Sequence, residues 1–257
     1  MKKTKYILLL MVLSLTVNLF AQSQRSRNYY DALSWEKKHL LTVFKKGANA
    51  EKNGDYKTAA TDYEMVCASH LYPPALYAMG ELIKSKKDKL GERFKKQDYD
   101  DYWQKAAAQG HPSLLWSNVS RVTALLIEQE SMARHKLREY RMMIKQGKSV
   151  NFDPLLQSLQ EWIDFADAYQ KAYSQGRDVW KKRKLKTKDF YPVSYNGLAG
   201  EKKSNKHYFK NPENAIRDFE KSSDEILTGF LKLRNLKLEI QIEADHIKQN
   251  KLQKSPN

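Results

Sequence analysis

Cysteine is almost missing from this chain. Cys67 is the only one in 257 residues, so no intramolecular disulfide can form, and its place beside Met65 and Val66 on a helix face predicts a small buried apolar group. Glycine and proline are sparse, at 10 and 7, and alternation of β-branched residues is nearly absent, while Leu, Lys, Ala and Gln are common. That composition argues against a sheet-built architecture and predicts an all-α chain. Hydrophobic content is 41%, slightly under the globular norm, so the core is expected to be thin. No phosphate-binding loop, dinucleotide fingerprint or Gly-x-Ser-x-Gly turn occurs, which removes the commonest signatures of nucleotide and serine-hydrolase chemistry.

Long apolar runs are lacking too, with one exception. Met1-Lys2-Lys3-Thr4-Lys5 gives a positive start, Tyr6 to Leu13 is unbroken apolar, and Leu19-Phe20-Ala21 before Gln22 offers a cleavage site. This predicts a secretory signal peptide over 1–21 and an exported protein, periplasmic or extracellular after cleavage. An uncleaved anchor is the competing reading, but Ser14, Thr16 and Asn18 leave the stretch short of a membrane span. No cysteine stands at the cleavage point, which closes the lipoprotein route. Acidic residues are outnumbered, 30 against 46 basic. Losing Lys2, Lys3 and Lys5 from the 46 leaves 43 against 30, a net charge of +13. Such an excess favours anionic partners: lipid head groups, acidic wall polymers or an acidic protein surface, with nucleic acid less accessible to an exported chain.

The richest stretch is Pro73 to Ile83 followed, after a charged connector, by Tyr99 to Pro112. Ala75, Ala78 and Gly80 are small residues spaced so that a second helix can approach closely. Asp98, Asp100 and Asp101 suit a helix N-terminus. Tyr99, Trp103, Ala106 and Ala107 then share one face. Gly110 supplies a left-handed stop, and Pro112 starts the next helix. This pattern resembles a Sel1-like repeat, a relative of the tetratricopeptide repeat, with Trp103, Lys105, Ala106, Ala107, Gly110 and His111 at the positions of that family's second helix and turn. Lys84-Ser85-Lys86-Lys87 stands where the family has a glycine pair. Upstream, Asn53-Gly54-Asp55-Tyr56 to Ala60, followed by Tyr63, resembles the turn and second helix of a tetratricopeptide unit. A shift of 38 residues lays Pro74-Ala75-Leu76 on Pro112-Ser113-Leu114 and Ala68 on Ala106, about the period of helical-pair repeats. The resemblance implies about two stacked hairpins over 22–112, a groove for a peptide or helix of an envelope partner, and Tyr56, Tyr63, Tyr77, Tyr99, Tyr102 and Trp103 as candidate partner-binding residues.

Residues 113–188 predict a long antiparallel helical hairpin. Leu115, Val119, Val122, Leu126, Ala133, Leu137, Tyr140 and Ile144 stripe a helix from Ser113 to Gln146 that Gly147 ends. Asp153 caps the next helix, with Pro154 in its first turn. That helix carries Leu155, Leu159, Trp162, Ala166, Tyr169, Tyr173, Gly176 and Trp180 as a heptad seam. The densest basic run follows, with Lys181, Lys182, Arg183, Lys184, Lys186 and Lys188 as candidate contacts to anionic lipid or wall polymer, aided by Trp180, Phe190 and Tyr191. The bland alternative is a solvated helix end. Residues 189–211 read as a mobile loop. A C-terminal helix over 212–249 has a seam through Ile216, Phe219, Ser223, Ile226, Phe230, Leu233, Lys237, Ile240, Ala244 and Ile247. Leu227, Leu231, Leu238 and Ile242 widen it, which suggests more than one neighbour. It is expected to complete a three-helix bundle, with a homodimer through this helix, its register set by Ser223 and Lys237, as the competitor. Residues 250–257 read as a disordered tail.

Catalytic chemistry finds little support. Glu243-x-x-His246 is half of a di-iron element and has no second half. Cys67 and His70 lie one turn apart but lack a further ligand pair. His111 belongs to the repeat turn. Asp98, Asp100 and Asp101 cap a helix, because the glycine and glutamate of a calcium loop are absent. Glu161, Asp164 and Asp167 fall on a solvent face, and the Asn118-Val119-Ser120 sequon lies mid-helix. The sequence therefore predicts a non-catalytic interaction scaffold or adaptor, with no cofactor and no metal.

Overall fold

The structure, a computed structural model, describes residues 27–191 and 202–253. The predicted leader over 1–21, part of the predicted loop and residues 254–257 lie outside the described residues. The fold is all-α. Its only strands among the described residues are two two-residue segments, β1 (Arg27–Asn28) and β2 (His70–Leu71), paired in parallel with Arg27 opposite His70. The chain divides after Ala106 into two units, the first comprising residues 27–106 with 188–191 and the second 107–187 with 202–253.

In the first unit, α1 (Ser34–Lys52) and α2 (Tyr56–Ser69) form a hairpin. The turn between them uses Gly54 at φ 81°, a left-handed conformation that glycine adopts without steric cost. Each helix start is satisfied by a carboxylate. Leu33 N–H donates to Glu36 (2.7 Å) and Thr58 N–H to Asp55 (3.1 Å), which removes orphan donors of the first turn. A Cβ on Gly47 would lie 2.9 Å from the Tyr63 ring, so the missing side chain sets how near α1 and α2 come.

Next come α3 (Pro73–Lys86), which packs on α2, and α4 (Tyr99–Ala108), whose Trp103 meets Gly80 of α3. Pro73 and Pro74 open α3, where their missing N–H groups are not needed. Asp100 N–H donates to Asp98 at the start of α4 (3.0 Å). The expected small-residue contact is present in a specific form, since a Cβ on Gly80 would stand 2.3 Å from Trp103 Cδ1. The charged connector is not a plain loop. It folds as two 3-10 turns, Lys87–Lys89 and Glu92–Phe94, separated by Gly91 at φ 95°, and it buries Leu90 and Phe94.

The second unit contains α5 (Ser117–Lys145) and α6 (Asp153–Lys182). α5 starts later than predicted, because Pro112–Leu114 forms a 3-10 turn, and the 38-residue echo stops there. Asn151, rather than Asp153, caps α6 by accepting from Asp153 N–H (3.0 Å). The predicted loop over 189–211 is corrected within the described residues. A short helix α7 (Thr187–Phe190) buries Phe190, and α8 (Lys206–Lys210) buries Tyr208. The apolar residues there lack periodicity, which is why sequence alone reads them as loop.

The last helix, α9 (Pro212–Gln253), runs four residues past the predicted end, into the segment read as a disordered tail. It lies along α6 and also packs on α5. Phe219, Ile226, Leu233, Ile240 and Ala244 of the predicted seam are buried, while Ile216, Phe230 and Ile247 are only half-buried. The polar seam residues are satisfied within the bundle: Ser223 bonds Gln170 (3.1 Å) and Ser174 (2.9 Å), and Lys237 donates to Gln160. One reading fails, because Leu231, Leu238 and Ile242 are solvent-exposed instead of widening the seam.

Candidate docking site

The concavity of the hairpin unit lies between α2 and α4. Glu64, Cys67 and Ala68 share one face of α2 at i, i+3 and i+4, and Tyr102 and Lys105 face them from α4. With Leu71 of β2 and Leu76 of α3 they line a pocket of about 300 Å³. Leu76 and Cys67 lie buried behind it, so the surface it presents is mainly polar, and burial pushes the Cys67 thiol pKa well up, so the sulfur stays protonated and inert. Its rim is polar. Tyr102 Oη donates to Gln97 (3.0 Å), whose amide donates to Glu64 (3.2 Å). Arg93 Nη2 pairs with the other Glu64 oxygen at 2.9 Å and donates to Thr61 Oγ1 at 3.0 Å. This chain of bonds fixes the connector and α4 on α2 before any partner arrives. Lys105 Nζ sits 5.7 Å from the centre of the Tyr102 ring, and its side chain is exposed.

Of the six aromatic residues singled out from the sequence, only Tyr102 lines this pocket. Tyr63 is fully buried, donates to Glu51 (2.8 Å) and packs on Phe44. Tyr77 is buried, and Trp103 is buried against Gly80 with Lys84 Nζ 4.7 Å over its ring. These three are core residues, because an aromatic ring on the inner face of a short hairpin is the cheapest way to fill it. Tyr99 is half-buried and edge-on to Trp103. Tyr56 is half-buried at the first turn of α2, with Lys86 and Lys89 over its ring. Glu64, Ala68 and Lys105 were missed as site residues. The spacing of Glu64, Cys67 and Ala68 was the available signal, and only the course of α4 gives it meaning.

No protein-family model, curated protein or solved structure matches this chain. The site therefore rests on its own geometry.

The basic run divides between the units. In the second, Lys181 and Lys182 form the last turn of α6, and Arg183, Lys184 and Lys186 follow it, all exposed around a buried Leu185. Lys188, also exposed, falls in the first unit. The aromatics expected to assist them do not, because Trp180, Phe190 and Tyr191 are buried and Trp180 Nε1 donates to Gly110 O at 2.8 Å.

Glu243 of the Glu243-x-x-His246 element has another partner. Glu243 takes a forked contact from Arg141 (2.7 to 3.1 Å), tying α9 to α5. Among the described residues, no group of three or more His, Cys, Asp or Glu side chains could hold a metal ion. His111 is fully buried, accepts from Ser113 N–H through Nδ1 (3.4 Å), and burial lowers its pKa to about 3. Asn118 of the sequon is buried and donates to Tyr173 Oη (3.2 Å). Among the described residues, no helix is long and apolar enough to cross a membrane.

Proposed function

We propose that this chain is an exported, non-catalytic scaffold related to Sel1-like repeats, whose hairpin unit docks a segment of an envelope protein. The observation that carries this reading is the preformed pocket between α2 and α4, with a mainly polar lining, a hydrogen-bonded rim and the exposed cation Lys105. At about 300 Å³ it is at the low end of small-molecule sites, which run from roughly 300 to 1,000 Å³. It suits one anchoring side chain of a longer peptide. An acidic or hydrogen-bonding anchor meets Lys105 and Tyr102, and the net charge of +13 left after loss of the leader steers an acidic partner toward the chain.

The test uses the exposed Ala68 at the pocket mouth. Ala68→Arg fills the mouth without entering the core, so the protein should keep its helicity while envelope partners captured by the parent chain are lost. Capture of the same partners by this variant would contradict the assignment.

A second reading is supported by the exposure of Lys181, Lys182, Arg183, Lys184 and Lys186, namely contact with anionic lipid or wall polymer. It predicts binding to anionic vesicles that weakens as salt rises and falls on reversing these charges. Binding insensitive to salt would exclude it.

A further inference from the structure

The inner seam of α9 is fully used inside the second unit, yet the helix carries another. Thr228, Leu231, Asn235, Leu238, Ile242 and Asp245 follow one another at alternating spacings of three and four, and every one is exposed. That is the spacing of a coiled-coil face. Its centre is apolar, with Leu231 43%, Leu238 60% and Ile242 62% exposed. Beside it, Leu231 and Leu238 also line a groove of about 580 Å³ between α6 and α9, along with Ile163 and Phe230. Apolar surface in register on a soluble helix costs free energy unless it is covered.

Its charges say what fits. We propose that α9 pairs antiparallel with α9 of a second copy of this chain, with Asn235 opposite Leu238 and Leu231 opposite Ile242. In that register the flanking positions bring Lys232 beside Glu239 of the other copy, and Glu225 beside His246. Two-fold symmetry repeats each contact. Lys232, Glu239, Glu225 and His246 are all exposed, and Glu239 and Glu225 share their carboxylates with Arg141 (3.1 Å) and Lys221 (3.8 Å) of their own copy. The surface is separate from the pocket between α2 and α4, so pairing and docking can fail independently.

The experiment uses the full chain. Sedimentation at tens of micromolar should give twice the chain mass, and Leu238→Glu should return it to the single-chain mass with unchanged helical circular dichroism. Register is read by disulfide formation, since Cys67 is buried and unreactive. Leu231→Cys and Ile242→Cys, mixed, should form a disulfide between the two variants. Neither should dimerise covalently with itself, because antiparallel pairing holds like positions roughly 16 Å apart along the helix. A parent chain of single mass, a Leu238→Glu chain that stays paired, or self-disulfides in each variant alone would overturn the proposal.

Discussion

At His111 a fully buried imidazole links the turn after α4 to pH. Burial lowers its pKa from 6.5 to about 3, so between these values the unfolded chain takes up a proton that the folded chain refuses. The sign follows: this contribution is complete above pH 6.5 and is lost progressively as pH falls toward 3. At pH 4.5 the loss should be about 2–3 kcal/mol. His111→Asn keeps an acceptor for the Ser113 amide and cannot titrate. Denaturant unfolding at pH 7 and pH 4.5 should show the parent losing that increment and the variant losing much less. Equal losses would refute the assignment.

Individual residues were legible where local geometry alone decides their role. Gly110 and Gly147 take φ 78° and 75° as turn signals require, and Cys67 is buried as its neighbours imply. The aromatics were not, because a tyrosine or tryptophan at helical spacing serves a core and a groove equally well in one dimension. Tyr63, Tyr77 and Trp103 went to the core, and Tyr102 to the pocket wall.

Between elements, the approach of α3 to α4 is set by what Gly80 lacks. Alanine there would gain about 1 kcal/mol of helix propensity. Its Cβ, however, would stand 2.3 Å from Trp103 Cδ1 and 2.4 Å from Nε1, and relieving that clash in a buried ring costs about 1–3 kcal/mol. The clash should win. Gly80→Ala is expected to lower the unfolding midpoint, and a raised midpoint would show that the helices are not held at this distance. Both long seams, on α6 and on α9, could be read from the sequence because spacings of three and four persist over many turns. Leu90 and Phe94 could not, since isolated apolar residues among charges carry no period. Glu243 looked like half of a metal element because spacing cannot see the Arg141 that meets it from α5.

At the scale of the molecule, sequence and structure agree on an all-α chain, and the two units divide the work of burial differently. The first closes its core with rings and small residues across short hairpins, which leaves a concavity. The second closes with long seams and leaves an outer stripe. The observed division after Ala106 falls inside α4, ahead of the Gly110–Pro112 turn where the sequence predicts a boundary. What one sequence could not locate was the pocket. It needs residues from α2, β2, α3 and α4 together, and no single period connects them.

The most direct measurement is photo-crosslinking in cells from a probe residue placed at position 68, with Lys57 on the exposed side of the same helix as the control position. The account predicts a discrete protein adduct from position 68 that disappears when Lys105→Glu is added, and none from position 57. Equal adducts from both positions, or none from position 68, would contradict it.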